Sequence, residues 1–409
     1  RWLSDWSSDV CSSDLVLILD GPGRIAVAVA RCLHRHGIPV DAARFRSTAT
    51  PGLCSRAIRN RFVLPDFAED PGGFLAATAR LIEAGGYDLL IPASDGALAA
   101  VQACYEPLAR LATPACPPPH IVARVLDKTA TLSAAAECGI PVPREWRPAT
   151  GGPPPFPLVA KPASKAGASP FRARHILAPE DLRAVLREIA GREGDFLFQE
   201  YCPGEGAGVE ALMWQGEPLA LFQHRRVREN PASGGVSVVA ESEPVDPELG
   251  RMAVRLLRRI GWSGPAMVEF RRNRDASEVA LMEVNGRYWG SLALPCALGV
   301  EFPYYHWQLI HGTPPAIPHG YAAGARVRWT SGEFMRLKAL AADWAGGRSG
   351  FPALCREAAR CCLALAPGWA SDAMSVRGDR WPGMAELWFI ATRRLRRASG
   401  GAEKPPAAA

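Results

Sequence analysis

Residues 280–291 read ALMEVNGRYWGS, and the way this stretch ends decides the fold. The apolar run 279–282 is that of a buried strand, yet Glu283, Asn285 and Arg287 come after it at alternate positions. Alternate residues of a strand share a face, so a carboxylate, an amide and a guanidinium point the same way. Three such groups beside a core need a partner: water, a metal or a phosphate. A polar strand end running out into solvent is the plain alternative, and the rest of the chain has to choose between them.

Upstream, GPAMVEFRR places Glu269 on the preceding strand. DPELGRMAVRLLRRIGW before it has the apolar spacing of an amphipathic helix. DFLFQEYC, GVEALMW and EPLALFQHRRV read as successive strands separated by glycine-containing turns. LVAKPAS is a strand that carries Lys161 into a loop of small residues, 164–169. Lys128 opens a helix in LDKTATL.

The chain opens differently. LVLILD is a continuous apolar run, as expected of a strand buried on both faces. Strands and helices then alternate up to the proline-rich ATPACPPPH, which predicts an open α/β sheet. Gly21-x-Gly23-x-x-Ala26 follows the first strand and starts a helix, and Asp41 is expected to end the next strand. This is the fingerprint of a dinucleotide-binding turn. Its plain reading is a tight turn that needs glycine for close packing, and Pro22 removes one N–H from any phosphate cradle. From about residue 311 the pattern is mostly helical, and the tail SGGAEKPPAAA is expected to be disordered.

Bulk composition narrows the class. The 409 residues suffice for two or three domains, with 48% hydrophobic and 22% charged residues, as in a globular protein. A net charge of +6 is too mild to point to nucleic acid. The 11 cysteines show no metal-binding spacing and suit a reducing, cytoplasmic setting. No apolar run reaches membrane-spanning length.

The series Lys128, Lys161, Glu200, Glu205, the arginines of QHRRVREN, Glu269, then Glu283, Asn285 and Arg287 resembles the ATP-grasp superfamily over residues 121–312. The segments EYCPGEGAGVEALM, HRR, SGGVSV, GPAMVEF and LMEVNGRYWGS are similar in particular to ATP-grasp carboxylate–amine ligases. The opening segment 1–14, RWLSDWSSDVCSSD, resembles translated adapter sequence and is expected to be non-native. The resemblance implies a Rossmann-like pre-ATP-grasp domain (15–120) and an ATP-grasp domain of two α+β subdomains clasping ATP (121–312). A helical C-terminal extension (313–409) completes the chain.

The resemblance also implies residue roles. Lys128 and Lys161 would oppose phosphate oxygens, with Ser164 and Gly167 in the loop folding over them. Gln199, Glu200, Tyr201 and Cys202 would form the adenine hinge. Glu205, with Glu210 as second choice, would take the ribose hydroxyls. Glu269, Glu283 and Asn285 would hold Mg²⁺ or Mn²⁺, hard cations suited to oxygen donors. Arg287 would face the transferred phosphoryl group, and Arg226 or Arg228 would clamp a substrate anion. The expected reaction joins a small-molecule carboxylate to an amine at the expense of ATP, with a homodimer left open. The alternatives are an ATP-grasp carboxylase working through carboxyphosphate, a non-catalytic nucleotide-binding module, and an NAD(P)-dependent oxidoreductase built on the Gly21 turn.

Overall fold

The structure, a computed structural model, describes residues 14–398 apart from 22, 149–151, 167–170, 172, 232–233, 274–277 and 348. The adapter-like segment up to residue 13, the expected phosphate loop at Gly167 and the tail beyond 398 lie outside the described residues.

The first sheet is parallel. Its strands are β1 (Val16–Leu19), β2 (Val40–Phe45), β3 (Arg61–Leu64), β4 (Leu89–Pro92) and β5 (Thr113–Pro114), in the order β3-β2-β1-β4-β5. β1 sits centrally and is buried throughout, as its unbroken apolar run requires. Gly21 has a packing reason. A Cβ there would lie 2.7 Å from the Cβ of Ala93, so the chain leaving β1 can pass the end of β4 only without a side chain.

Asp41 is not at the end of its strand. It is the second residue of β2 and 1% exposed. It accepts from Arg59 Nε and Nη2 at 3.1 and 3.0 Å, from the Asn60 amide at 2.8 Å, and from the Tyr87 hydroxyl at 2.6 Å. A carboxylate already holding these donors is a structural residue, and the ribose-acid reading of the dinucleotide fingerprint falls with it.

A small antiparallel sheet, in the order β6-β9-β7-β8, comprises β6 (Glu145–Trp146), β7 (Leu158–Pro162), β8 (Arg174–Ile176) and β9 (Phe196–Glu200). It packs on the helix Pro179–Glu188 around its own core of Trp146, Leu158, Ala160, Leu182, Val185 and Phe198.

The large sheet runs in the order β14-β13-β10-β11-β12-β15-β16. Its strands are β10 (Glu205–Trp214), β11 (Glu217–Asn230), β12 (Val236–Glu243), β13 (Gly264–Arg272), β14 (Val279–Asn285), β15 (Arg326–Arg328) and β16 (Ser371–Asp372). One side of it is covered by the helix Pro247–Ile260, whose buried Leu249, Leu256, Leu257 and Ile260 repeat at helical spacing. β12, β15 and β16 are additions to the strands expected from sequence. Helices Thr330–Ala345, Phe351–Leu365 and Trp381–Ala398 dominate the C-terminal region. Among the described residues, no helix is long and apolar enough to cross a membrane.

Candidate active site

The end of β14 lies in a cleft of about 470 Å³. Its walls come from the small sheet (Lys161, His175 and 199–202), the large sheet (Arg226, Glu269, Glu283, Asn285) and the first helix (Arg24). Across β13 and β14, Glu269 stands in register opposite Glu283, and Met267 opposite Asn285. Asn285 Nδ2 donates to Glu269 Oε1 at 2.8 Å and reaches Glu283 Oε1 at 3.5 Å. Its Oδ1 accepts from Arg287 Nη2 at 3.1 Å.

Two facing carboxylates repel unless cations lie beside them, and three lysines do so here. Lys165 Nζ donates to Val284 O at 2.7 Å and sits 3.4 Å from Glu283 Oε2. Lys161 Nζ reaches Met282 O at 3.4 Å, and Lys128 Nζ reaches Pro162 O at 2.7 Å. Burial pushes the Glu283 carboxyl up. Lys165, Lys128, Lys161 and Arg287 together overcome that and hold it far below the usual carboxylate range. Lys161 carries the reverse imbalance. Burial, aided by Lys128 and Lys165 and opposed by Glu283, pushes it down to about 8. The site is thus richer in cationic groups than its own acids can satisfy.

Sequence reasoning misses Lys165. It lies in the loop ASKAGAS, whose small residues point to the backbone instead. Its amide donates to Leu126 O and the Lys128 amide to Ala163 O, which ties the loop to the start of the Lys128 helix. Ser164, expected to face phosphate, bridges to Asp127, and its Oγ accepts from the Ala166 amide.

Gln199, Glu200, Tyr201 and Cys202 line the cleft at the end of β9. The Glu200 amide donates to Arg144 O at 2.9 Å and the Tyr201 amide to Pro157 O at 3.0 Å. Those two N–H groups are therefore occupied within the chain.

Three candidates lie elsewhere. Glu205 is paired across the strands with Arg272 at 3.0 Å and lies 3.7 Å from Arg225, in a network that includes Glu243. Its neighbour Gly206, on the alternate face, lines the cleft instead. Glu210 is wholly buried behind the cleft floor. It accepts from Ser291 Oγ at 3.0 Å and lies 3.0 Å from His224 Nδ1, and burial raises its carboxyl. Neither glutamate lines the cleft, where a role toward the ribose would place it.

Arg228 is the third. Simple alternation would put it beside Arg226, but the register of β11 against β12 shifts between them, with Arg226 opposite Ala240 and Arg228 opposite Val239. Val227 is the extra residue of a bulge, and a bulge re-aims the side chains beyond it. Arg226 enters the cleft, 2.5 Å from Glu269 Oε2. Arg228 turns away to Glu333, 0% exposed, with bonds of 2.5 and 2.8 Å.

Two further groups come from the first sheet. Asp95 begins the helix Asp95–Ala103 and accepts from Arg287 Nε and Nη2 at 3.1 and 3.0 Å. Arg24, near the start of the helix Gly23–Arg35, donates through Nη1 to Ser237 O at 2.9 Å. Burial, only partly offset by Glu386 and reinforced by Arg226 and Arg287, brings Arg24 down to about 10. Neither residue could be assigned to this cleft from its own surroundings in the sequence.

Residues 192–333 match the family described as ATP-grasp in the biosynthetic pathway with Ter operon. No curated protein matches the chain in sequence. Solved structures share its fold. The L-amino acid ligase of Bacillus licheniformis is 17% identical, with a TM-score of 0.59 over 73% of this chain and 74% of its own. The biotin carboxylase domain of Hydrogenobacter thermophilus 2-oxoglutarate carboxylase, in complex with Mg·ADP, ADP and bicarbonate, is 14% identical (TM-score 0.57, 76% and 73% covered). An ADP complex of N5-carboxyaminoimidazole ribonucleotide synthetase is 15% identical (TM-score 0.58, 78% and 81% covered). Residues 192–333 thus match an ATP-grasp family, and the fold around them is shared with these solved structures.

Proposed function

We propose that the protein is an ATP-dependent carboxylate–amine ligase. The observation that carries this reading is the set Glu269, Glu283 and Asn285 facing Lys128, Lys161 and Lys165. These lysines provide positive charge that two carboxylates cannot exhaust, beside oxygen donors suited to a hard cation. The donor set fits Mg²⁺ or Mn²⁺, because two carboxylates and one amide, all oxygen-bearing groups, converge at the strand ends. Such an ion, held by Glu269, Glu283 and Asn285, would neutralise charge on the β- and γ-phosphates.

The lysines would hold the phosphate oxygens, and residues 199–202 would flank the adenine. A substrate carboxylate oxygen then attacks the γ-phosphorus. The bond to the β–γ bridging oxygen breaks, leaving ADP and an acyl phosphate. The amine nitrogen attacks the acyl carbon, an amide forms, and phosphate departs with the amine proton. Arg226 and Arg287 would stabilise charge on the phosphoryl group and the acyl phosphate, so catalysis is chiefly positioning and electrostatics.

A carboxylase is the second reading, favoured by the similarity in fold to the biotin carboxylase domain and to the N5-carboxyaminoimidazole ribonucleotide synthetase. ADP release, screened over carboxylates with mixed amines and separately over bicarbonate, tests both. The ligase reading expects ADP release that needs both a carboxylate and an amine, and its abolition in Glu283→Gln. ADP release that needs only bicarbonate would transfer the protein to the carboxylases. Nucleotide binding without turnover on any panel would leave a binding module.

A further inference from the structure

Arg24 is the one arginine among Arg24, Arg226 and Arg287 that has no carboxylate partner among the described residues. Arg226 is met by Glu269 at 2.5 Å and Glu229 at 3.4 Å, and Arg287 by Asp95 at 3.0 Å. Among the described residues, Arg24 donates one hydrogen bond, from Nη1 to the Ser237 carbonyl. The Glu386 carboxylate, whose charge acts on it, spends Oε2 on Trp329 Nε1 at 2.9 Å.

The Arg24 head is nevertheless held firmly. Its Cζ lies 4.3 Å from the centre of the Trp329 ring, a cation–π distance. On Gly290 a Cβ would fall 2.6 Å from that same Cζ, so the guanidinium rests directly on the glycine backbone. Gly290 closely follows Arg287 in the chain, and Arg24 and Gly290 both line the cleft. The Ser237 carbonyl stands two residues beyond the Gly235 carbonyl that accepts from Arg226 Nη1 at 2.9 Å. The two arginines are thus anchored just before and just inside the start of β12. A planar cation clamped in place, with Nη1 spent and its Nε/Nη2 edge without a partner among the described residues, is arranged for side-on, bidentate pairing with an oxyanion.

We propose that Arg24, fixed by Ser237, Gly290 and Trp329, is the anchor for a second, unreacting oxyanion on the non-nucleotide substrate, which makes that substrate a dianion such as a dicarboxylate or a phosphorylated carboxylate. This inference rests on the ligase reading, since it presumes that one carboxylate of the same molecule faces the nucleotide. It gives the C-terminal region a function. Trp329 and Glu386 complete the subsite, which draws on the first helix, the large sheet and the last helix together.

The test uses the full chain with Mg²⁺ and a non-hydrolysable ATP analogue, and isothermal titration with valerate, glutarate and 4-phosphonobutyrate as probes. Both dianions should bind at least tenfold more tightly than valerate, and the tighter of the two identifies the second group as carboxylate or phosphate. Arg24→Gln should cost the dianions about ten- to a hundredfold in affinity, while leaving the affinities for valerate and for the analogue as they were. Arg24→Lys, which keeps the charge but loses the fork, should fall between; it also serves if the glutamine variant does not fold. Dianions no tighter than valerate, or dianion affinity unchanged in both variants, would overturn the inference and leave the ligase reading standing. Failure of the wild type to bind the ATP analogue would sink the ligase reading and this subsite with it.

Discussion

Glu283 faces Glu269 in register and is surrounded by Lys165, Lys128, Lys161 and Arg287. Its carboxylate offsets their mutual repulsion before any phosphate arrives. Glu283→Gln should therefore destabilise the nucleotide-free protein by about 1–3 kcal/mol at pH 7, read from urea unfolding. The sign of the pH dependence comes from the depressed folded-state value. The stabilisation is complete above the unfolded carboxyl range, near about 4.3, and is lost as pH falls below it. The gap between wild type and Glu283→Gln should accordingly narrow at acid pH. A gap that stays constant down to pH 3 would mean that Glu283 packs there without electrostatic consequence. At this scale the sequence is legible wherever chemistry tracks strand alternation. Glu283 and Asn285 can be placed on one face from a period of two. Lys165 cannot, because only the tie between its loop and the Lys128 helix brings its ammonium to Val284 and Glu283.

The β11 strand shows where element-scale reading stops. The three arginines of residues 225–228 look interchangeable in sequence, yet they serve three environments. Arg225 pairs with Glu241 across the ladder, Arg226 with Glu269 in the cleft, and Arg228 with Glu333 on the helix Thr330–Ala345. A one-residue bulge at Val227 separates the last two, and no periodicity announces a bulge. β12 is legible only as the SGGVSV segment, although it is the next strand in the chain and pairs antiparallel with β11 across a short connection. The buried pair predicts a stability phenotype at Arg228. Arg228→Ala strands Glu333 without its main counter-charge, at a cost of about 3–5 kcal/mol, while the folded fraction should bind ATP as the wild type does. Arg228→Met combined with Glu333→Leu should recover most of that loss. Thermal melts and nucleotide titration on the same samples check this. Loss of ATP affinity in folded Arg228→Ala would return that residue to the cleft.

Across the whole molecule, the parallel sheet and the large sheet are joined rather than merely adjacent. One apolar core runs from Val16, Ile18 and Ile91 through Phe222 and Trp289 to Phe302 and Val327. The small sheet, which carries Lys161 and residues 199–202, keeps a core of its own. The cleft therefore has one wall built jointly by two sheets and another that is packed separately. Alternating strands and helices make the first sheet legible, but nothing local to residues 89–103 shows that Asp95 meets Arg287, 192 positions away. That contact fixes the guanidinium from the joint wall, and under the proposed reaction it would make Asp95 a positioning residue. Asp95→Asn should leave the fork with weaker, uncharged anchoring. Because Asp95 is not among the groups proposed to hold the nucleotide, ADP release should lose about tenfold in kcat, roughly 1.4 kcal/mol in the barrier, with the KM for ATP nearly unchanged. Asp95→Glu, which keeps the charge on a longer arm, should restore part of the loss. A rise in the ATP KM matching the fall in kcat would instead place Asp95, and the first sheet with it, against the nucleotide. An unaltered kcat would show that Arg287 finds its position from Asn285 and the Tyr288 carbonyl alone.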